Sequence, residues 1–210
     1  MEWQKMKKQT GAVVLAELLK SLGVTHIFMV PAVLRRTMVE IEKRTDIKRL
    51  HVHSEKSAAY MADGYARVSR KPAICMAQII GALNIAAGLR DAFLAHSPVI
   101  ALTGGREPKT KFKKVYQEID DMPAFEPVTK FNATIDDVNR FSDMMEQAFR
   151  VATSGSPGPV HLQFRGNEAQ IDLEEIEEEV TVNEINIQIP PHRPICCLLY
   201  TSPSPRDEQS

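Results

Sequence analysis

The chain has 210 residues, 43% of them hydrophobic and 25% charged, with 26 basic against 27 acidic side chains and a formal net charge of −1. That apolar content builds a core and excludes global disorder, and the length fits one domain with an extension or one large domain. Near-zero net charge gives no electrostatic case for nucleic acid or an anionic membrane. The cysteines, Cys75, Cys196 and Cys197, form neither a disulfide framework nor a zinc spacing. Residues 1–10 lack the apolar core of a signal peptide. The most apolar window, 72–89, is interrupted by Gln78, Gly81, Asn84 and Gly88, so it predicts a buried strand and helix, not a bilayer span. A cytoplasmic, non-membrane protein is expected.

In chain order, Thr10 can cap a helix whose apolar positions Val13, Val14, Leu18, Leu19 and Leu22 follow the helical period, with Gly23 as its stop. Residues 26–30 form a short buried strand ended by Pro31, and a charged helix follows over 33–44. Residues 47–53 are strand-like, and Ser54 can cap a helix over 55–69. Next come a strand at 72–79, a helix at 83–95 and a strand at 98–103. After a long polar stretch, Asp136 or Asp137 opens a helix reaching about residue 153, and 159–164 is one more strand.

Strands separated by helices of this length indicate repeated β-α-β units. The expected class is α/β: a three-layer sandwich, a mostly parallel sheet with helices on both faces. Ligands in such sheets bind beyond the carboxyl ends of the strands, which directs attention to the loops at Pro31, Glu55, Gly81 and Gly104. The character changes near residue 168. Residues 168–184 hold eight acidic and no basic side chains, and five of the 13 prolines fall from residue 190 onward. The expected organisation is a folded domain over 1–170, an acidic linker with the start of a further, missing middle domain over 171–196, and a tail over 197–210.

Gly-rich phosphate loops of the dinucleotide or nucleoside-triphosphate type are absent. Gly104-Gly105-Arg106 follows a strand and admits two readings, an anion contact or an ordinary turn. His51, His53 and Glu55 would share one face of an extended strand. Two histidines and a carboxylate could bind zinc, but no third histidine sits at a helpful spacing, so no metal site is expected. Hydrogen-bonded structural imidazoles are the alternative. Glu55 could also serve as a functional carboxylate, since apolar surroundings raise a carboxyl pKa and suit it to proton exchange.

The run at 55–67, Glu-Lys-Ser-Ala-Ala-Tyr-Met-Ala-Asp-Gly-Tyr-Ala-Arg, resembles a signature of thiamine diphosphate-dependent enzymes. The match is to their N-terminal, pyrimidine-binding domain, in the acetolactate synthase-like and pyruvate oxidase-like group. Four further segments agree in order: 10–28, 81–92, 116–130 and 158–162. The resemblance covers about residues 9–170. It implies that Glu55 hydrogen-bonds a nitrogen of the cofactor's aminopyrimidine and promotes deprotonation of the thiazolium carbon. The cofactor then performs carbon–carbon chemistry on a 2-oxo acid. Pro31, Gly81, Asn84 and Gln117 fall at family positions near the cofactor or substrate pocket. The resemblance also implies a homodimer or homotetramer, with the cofactor lying between this domain and a diphosphate-binding domain of another subunit. Whether FAD is bound is left open.

Two departures stand out. The family often has Gly-x-Pro-Gly after the first strand, where this chain has Met29-Val-Pro31-Ala32. It often has Gly-Pro-Gly before the asparagine, where this chain has Ile79-Ile80-Gly81. Both place bulkier residues near the expected pocket and imply a divergent substrate. The family's magnesium and diphosphate motif, Gly-Asp-Gly followed by paired asparagines, does not occur in the 210 residues. The chain is therefore expected to be a fragment of a longer enzyme, with magnesium bound by a domain absent here. The alternatives are an α-type subunit of a two-chain decarboxylase, as known for sulfopyruvate and phosphonopyruvate decarboxylases, or a catalytically inactive module with the same fold. Residues 197–207 can be encoded by a string resembling an in-frame sequencing adapter, so a non-native tail is expected.

Overall fold

A computed structural model describes residues 9–176; the expected tail, most of the acidic linker, Cys196 and Cys197 lie outside the described residues. Helix α1 (Gly11–Ser21) follows Thr10, which has N-cap backbone geometry but makes no side-chain capping bond. Gly23, at φ +72°, turns the chain into β1 (His26–Met29). Ala32 and Leu34 then hold left-handed φ angles of +91° and +47°. A right-handed helix cannot include them, so α2 (Arg35–Arg44) starts later than expected. Ala32 stands where the resembling family often has glycine, the residue at ease with that φ. The next elements are β2 (Lys48–His51), α3 (Glu55–Ser69), β3 (Ala73–Ala77), α4 (Ala82–Leu94) and β4 (Val99–Gly104). An unexpected strand, β5 (Phe131–Ile135), comes next, then α5 (Phe141–Thr153) and β6 (Val160–Phe164). The side chain of Asp137 accepts the Asn139 N–H at 2.9 Å and starts the short turn leading into α5.

All six strands are parallel, in the order β2-β1-β3-β4-β6-β5. Right-handed crossovers decide which face each helix covers. The β1-to-β2 and β5-to-β6 steps run one way along the sheet, and the β2-to-β3 and β3-to-β4 steps run the other way. Hence α2 and α5 join α1 on one face, while α3 and α4 cover the opposite face. The three-layer α/β sandwich is thus as the hydrophobic pattern implies.

The two cores differ in texture. One is bulky: Leu15, Leu18 and Leu19 meet Ile27, Met29, Ile74, Leu102, Phe149 and Phe164. The other is small: Ala58, Ala59, Ala62 and Ala66 of α3 meet Ala73, Cys75, Ala77 and Ala101 of the sheet and Ala82 and Ala86 of α4. Small side chains let α3 and α4 approach each other and the sheet closely. Burial also pushes the Cys75 thiol up to about 12, which leaves it inert.

The described part of the acidic segment packs on the domain. Ile171, Asp172 and Ile176 are buried. Asp172 Oδ2 accepts both the Thr37 N–H at 3.0 Å and the Thr37 hydroxyl at 2.9 Å, and Gly11 N donates to Glu174 O at 2.8 Å. Among the described residues no helix is long and apolar enough to cross a membrane.

Candidate active site

Because the chain leaves β1 in one direction and returns to β3 in the other, the carboxyl ends of these neighbours form a topological switch point. Pro31 follows β1, and 78–81 follows β3. Glu55 comes from the next strand along, where β2 turns into α3. The strand ends at His51 rather than His53, and Glu55 is the first helical residue. His51, His53 and Glu55 therefore do not share one strand face; both histidines are exposed. Among the described residues no three histidine, cysteine or carboxylate side chains are grouped to hold a metal ion. Ser54 adopts extended N-cap geometry (φ −152°, ψ 140°), and its carbonyl accepts the Ala58 N–H at 3.0 Å, but its hydroxyl makes no cap bond. Glu55 supplies the negative charge that a helix N-terminus favours.

The first turn of α4 meets it. Asn84 Nδ2 donates to Glu55 Oε2 at 3.0 Å. Gly81 lies under the carboxyl: a Cβ there would stand 2.5 Å from Glu55 Cγ and 2.7 Å from Cδ and Oε1. Glycine at 81 is thus a steric requirement for this placement of Glu55. Oε2 is engaged and Oε1 rests over the backbone, so one carboxylate oxygen remains to exchange a proton with a ligand. Ile80, on the short turn before α4, and Leu83, in its first turn, are 55% and 45% exposed and flank Gly81 and Asn84 as an apolar lip.

Of the five residues singled out from sequence, Glu55, Gly81 and Asn84 meet directly. Pro31 is exposed at the end of β1, and Gln117 is half-buried at φ +64° in the loop after β4; among the described residues neither hydrogen-bonds to the trio.

The loop after β6, which sequence reasoning missed, fastens this edge. Asn167 O accepts from Ile79 N at 2.8 Å, Glu168 O from Leu34 N at 2.8 Å, and Gly166 O from Gly105 N at 2.8 Å. A Cβ at Gly104 would fall 2.0 Å from Asn167 O, and one at Gly105 would fall 2.3 Å from Gln163 Cγ. The Gly104-Gly105 pair therefore serves close chain approach. Arg106 is engaged with Asp120 at 3.2 Å.

A buried polar cluster on the α3/α4 side of the sheet was also missed. His161 bonds Thr103 Oγ1 through Nε2 at 2.7 Å and Asn132 Oδ1 through Nδ1 at 2.7 Å, and it stacks on Phe125 with ring centroids 3.5 Å apart. Its desolvation pushes the imidazole down to about 3. Gln163 Nε2 donates to Asp121 Oδ1 at 2.7 Å; burial raises the Asp121 carboxyl. The available signal was the polar residues Thr103, His161 and Gln163 interrupting otherwise apolar strands.

Comparison with known proteins identifies relatives of this domain. Residues 9–124 match the family described as thiamine pyrophosphate enzyme, N-terminal TPP binding domain. The chain is 34% identical over 167 residues to the "Probable acetolactate synthase large subunit" of Methanocaldococcus jannaschii, covering 78% of this chain and 28% of that protein. It is 35% identical over 182 residues to acetolactate synthase of Arthrospira platensis, covering 83% and 31%. It is 30% identical over 180 residues to the isozyme 1 large subunit of acetolactate synthase from Escherichia coli, covering 85% and 32%. The chain thus spans about a third or less of the length of these relatives. The family match over more than half of the chain, together with these relatives, places the chain in the thiamine pyrophosphate enzyme family as an acetolactate synthase-like N-terminal TPP-binding domain.

Proposed function

We propose that this domain serves a thiamine diphosphate-dependent lyase or transferase acting on 2-oxo acids, with Glu55 as its proton-exchanging group. The observation that carries the proposal is the Glu55–Gly81–Asn84 contact. It fixes one carboxylate oxygen and leaves the other at the mouth of the switch point, beside the apolar lip of Ile80 and Leu83. These residues fit an aminopyrimidine ring: an apolar surface for its face and a carboxylate for a ring nitrogen. Thiamine diphosphate, when bound, supplies the carbon nucleophile. Glu55 holds or releases a proton at Oε1, Asn84 orients the carboxylate, and Ile80 and Leu83 keep water from the ring.

Pro31 and Gln117, on neighbouring loops of the same edge, would approach the cofactor or substrate. A diphosphate-binding domain, on a longer chain or a partner subunit, would hold magnesium and the diphosphate; this chain alone is proposed to be inactive. Exposed apolar side chains on α3 and α4, Tyr60, Met61, Phe93 and Leu94, support burial in a homodimer or homotetramer. A cytoplasmic setting is part of the same proposal.

Glu55→Gln in the enzyme carrying this domain keeps shape and one hydrogen bond but cannot exchange the proton. Hydrogen–deuterium exchange at the thiazolium carbon of bound thiamine diphosphate should slow by about 10²–10⁴, the range of general acid–base groups, with the melting temperature unchanged. Unaltered exchange would mean that Glu55 is only structural.

A further inference from the structure

The loop after β4 leaves the same carboxyl edge of the sheet and carries a feature that the site above does not use. Its base is clamped by carboxylates. Glu118 accepts from Glu107 N at 3.4 Å and from the Thr110 hydroxyl at 2.5 Å; Asp120 pairs with Arg106 at 3.2 Å, and Glu107 with Arg165 at 3.5 Å. Those acidic groups are thereby committed within the base. The tip is the reverse. Lys109, Lys111, Lys113 and Lys114 are exposed, and among the described residues none of them has a carboxylate within ion-pair distance. Two aromatic rings stand among them, Phe112 at 89% and Tyr116 at 78% exposure, with Lys111 Nζ 5.3 Å from the Phe112 ring centroid. Phe112 and Lys114 hold left-handed φ angles of +69° and +51°, unfavourable for residues with a Cβ.

Four ammonium groups within six residues repel one another unless an anion comes between them. An exposed phenyl and phenol alongside offer stacking faces. We propose that segment 109–116 binds a soluble nucleotide carrying two or more phosphates, the lysines taking the phosphates and Phe112 or Tyr116 the base. The segment adjoins Gln117 of the proposed thiamine site but uses neither Glu55 nor its partners, and its test employs a different ligand, so failure of one reading is distinguishable from failure of the other.

Adenosine diphosphate is the probe, titrated into the isotope-labelled 210-residue chain by NMR at low and at 300 mM salt. Amides of 109–116 should shift saturably, and the affinity should fall several-fold at the higher salt as screening requires. The K111Q/K113Q/K114Q variant, altered only at exposed positions, should bind at least about tenfold more weakly, consistent with the loss of several charge-assisted bonds. F112A or Y116A should weaken adenosine diphosphate more than inorganic pyrophosphate. The proposal is overturned if segment 109–116 does not shift or the lysine variant binds as tightly. Equal loss of both ligands in both aromatic variants, or a short single-stranded oligonucleotide outcompeting adenosine diphosphate, would overturn it as well.

Discussion

Gly81 and His161 show how much one residue decides here. Gly81 has an ordinary backbone (φ −87°, ψ −4°), so Gly81→Ala meets no conformational objection. Its methyl would instead press on Glu55 Cγ and Cδ, turning the carboxyl away and parting it from Asn84. Because the atoms displaced are the movable end of a half-buried side chain, the urea midpoint should change little, while thiazolium exchange in the enzyme should fall as in Glu55→Gln. His161 makes a pH prediction. Its folded pKa of about 3 lies below the ordinary 6.5, so between those values the unfolded chain binds the extra proton and stability falls as pH falls. By pH 4.5 the loss from this residue is about 2–3 kcal/mol. Asp121 and Asp172, whose carboxyls burial raises, act in the opposite sense: they bind protons more readily when folded and recover part of the loss in acid. Urea midpoints of wild type and His161→Gln at pH 7 and 4.5 should show a shallower pH dependence in the variant, even if it is weaker at pH 7. Equal slopes would assign the acid sensitivity elsewhere.

At the scale of elements, the contact between α3 and α4 holds Glu55 opposite Asn84, and two glycines on these helices predict opposite outcomes for one substitution. A Cβ at Gly88 would lie 2.7 Å from Ala59 Cβ and 2.9 Å from Lys56 O. Gly88→Ala should force the helices apart and cost about 1–3 kcal/mol. Gly64, inside α3, has nothing within 4 Å of its would-be Cβ. There alanine should add about 0.5–1 kcal/mol through helix propensity. Thermal melts of the two variants test the pair. A stabilised Gly88→Ala would show that the α3–α4 spacing is slack.

For the molecule as a whole, the stretch after β6 ties both halves together. It fastens the loops at the switch point and then lies across α1 and α2, burying Ile171 and Ile176 and giving Thr37 its buried acceptor. A chain ended at residue 170 should therefore be less stable than one ended at 176. The loss is expected to reach several kcal/mol, from about 1.5–3 for each buried isoleucine and about 1–3 for the orphaned Thr37 donors. Urea unfolding of the two truncations checks this, and matching midpoints would make 171–176 dispensable. The exposed apolar residues of α3 and α4 belong to the same scale, since they point outward from the fold.

The kinds of element and most of their order were legible along the chain, because strand and helix burial leave periods that can be counted. The sequence also singled out Glu55, Gly81 and Asn84 through their resemblance to the family. It could not place β5, an edge strand whose Phe131 and Ala133 are only half-buried and which reads Phe-Asn-Ala-Thr-Ile, too mixed to stand out from the polar stretch around it. Nor could it foresee that Gly81 seats the carboxyl of a residue on another helix, or that Gly104 makes way for Asn167. The His161 environment was equally hidden, since Thr103, Asn132 and Phe125 converge on it from three separate segments. These features emerge only on folding, because each depends on contacts between residues far apart in the chain, and periodicity records which side of an element is buried but not which atoms will meet it there.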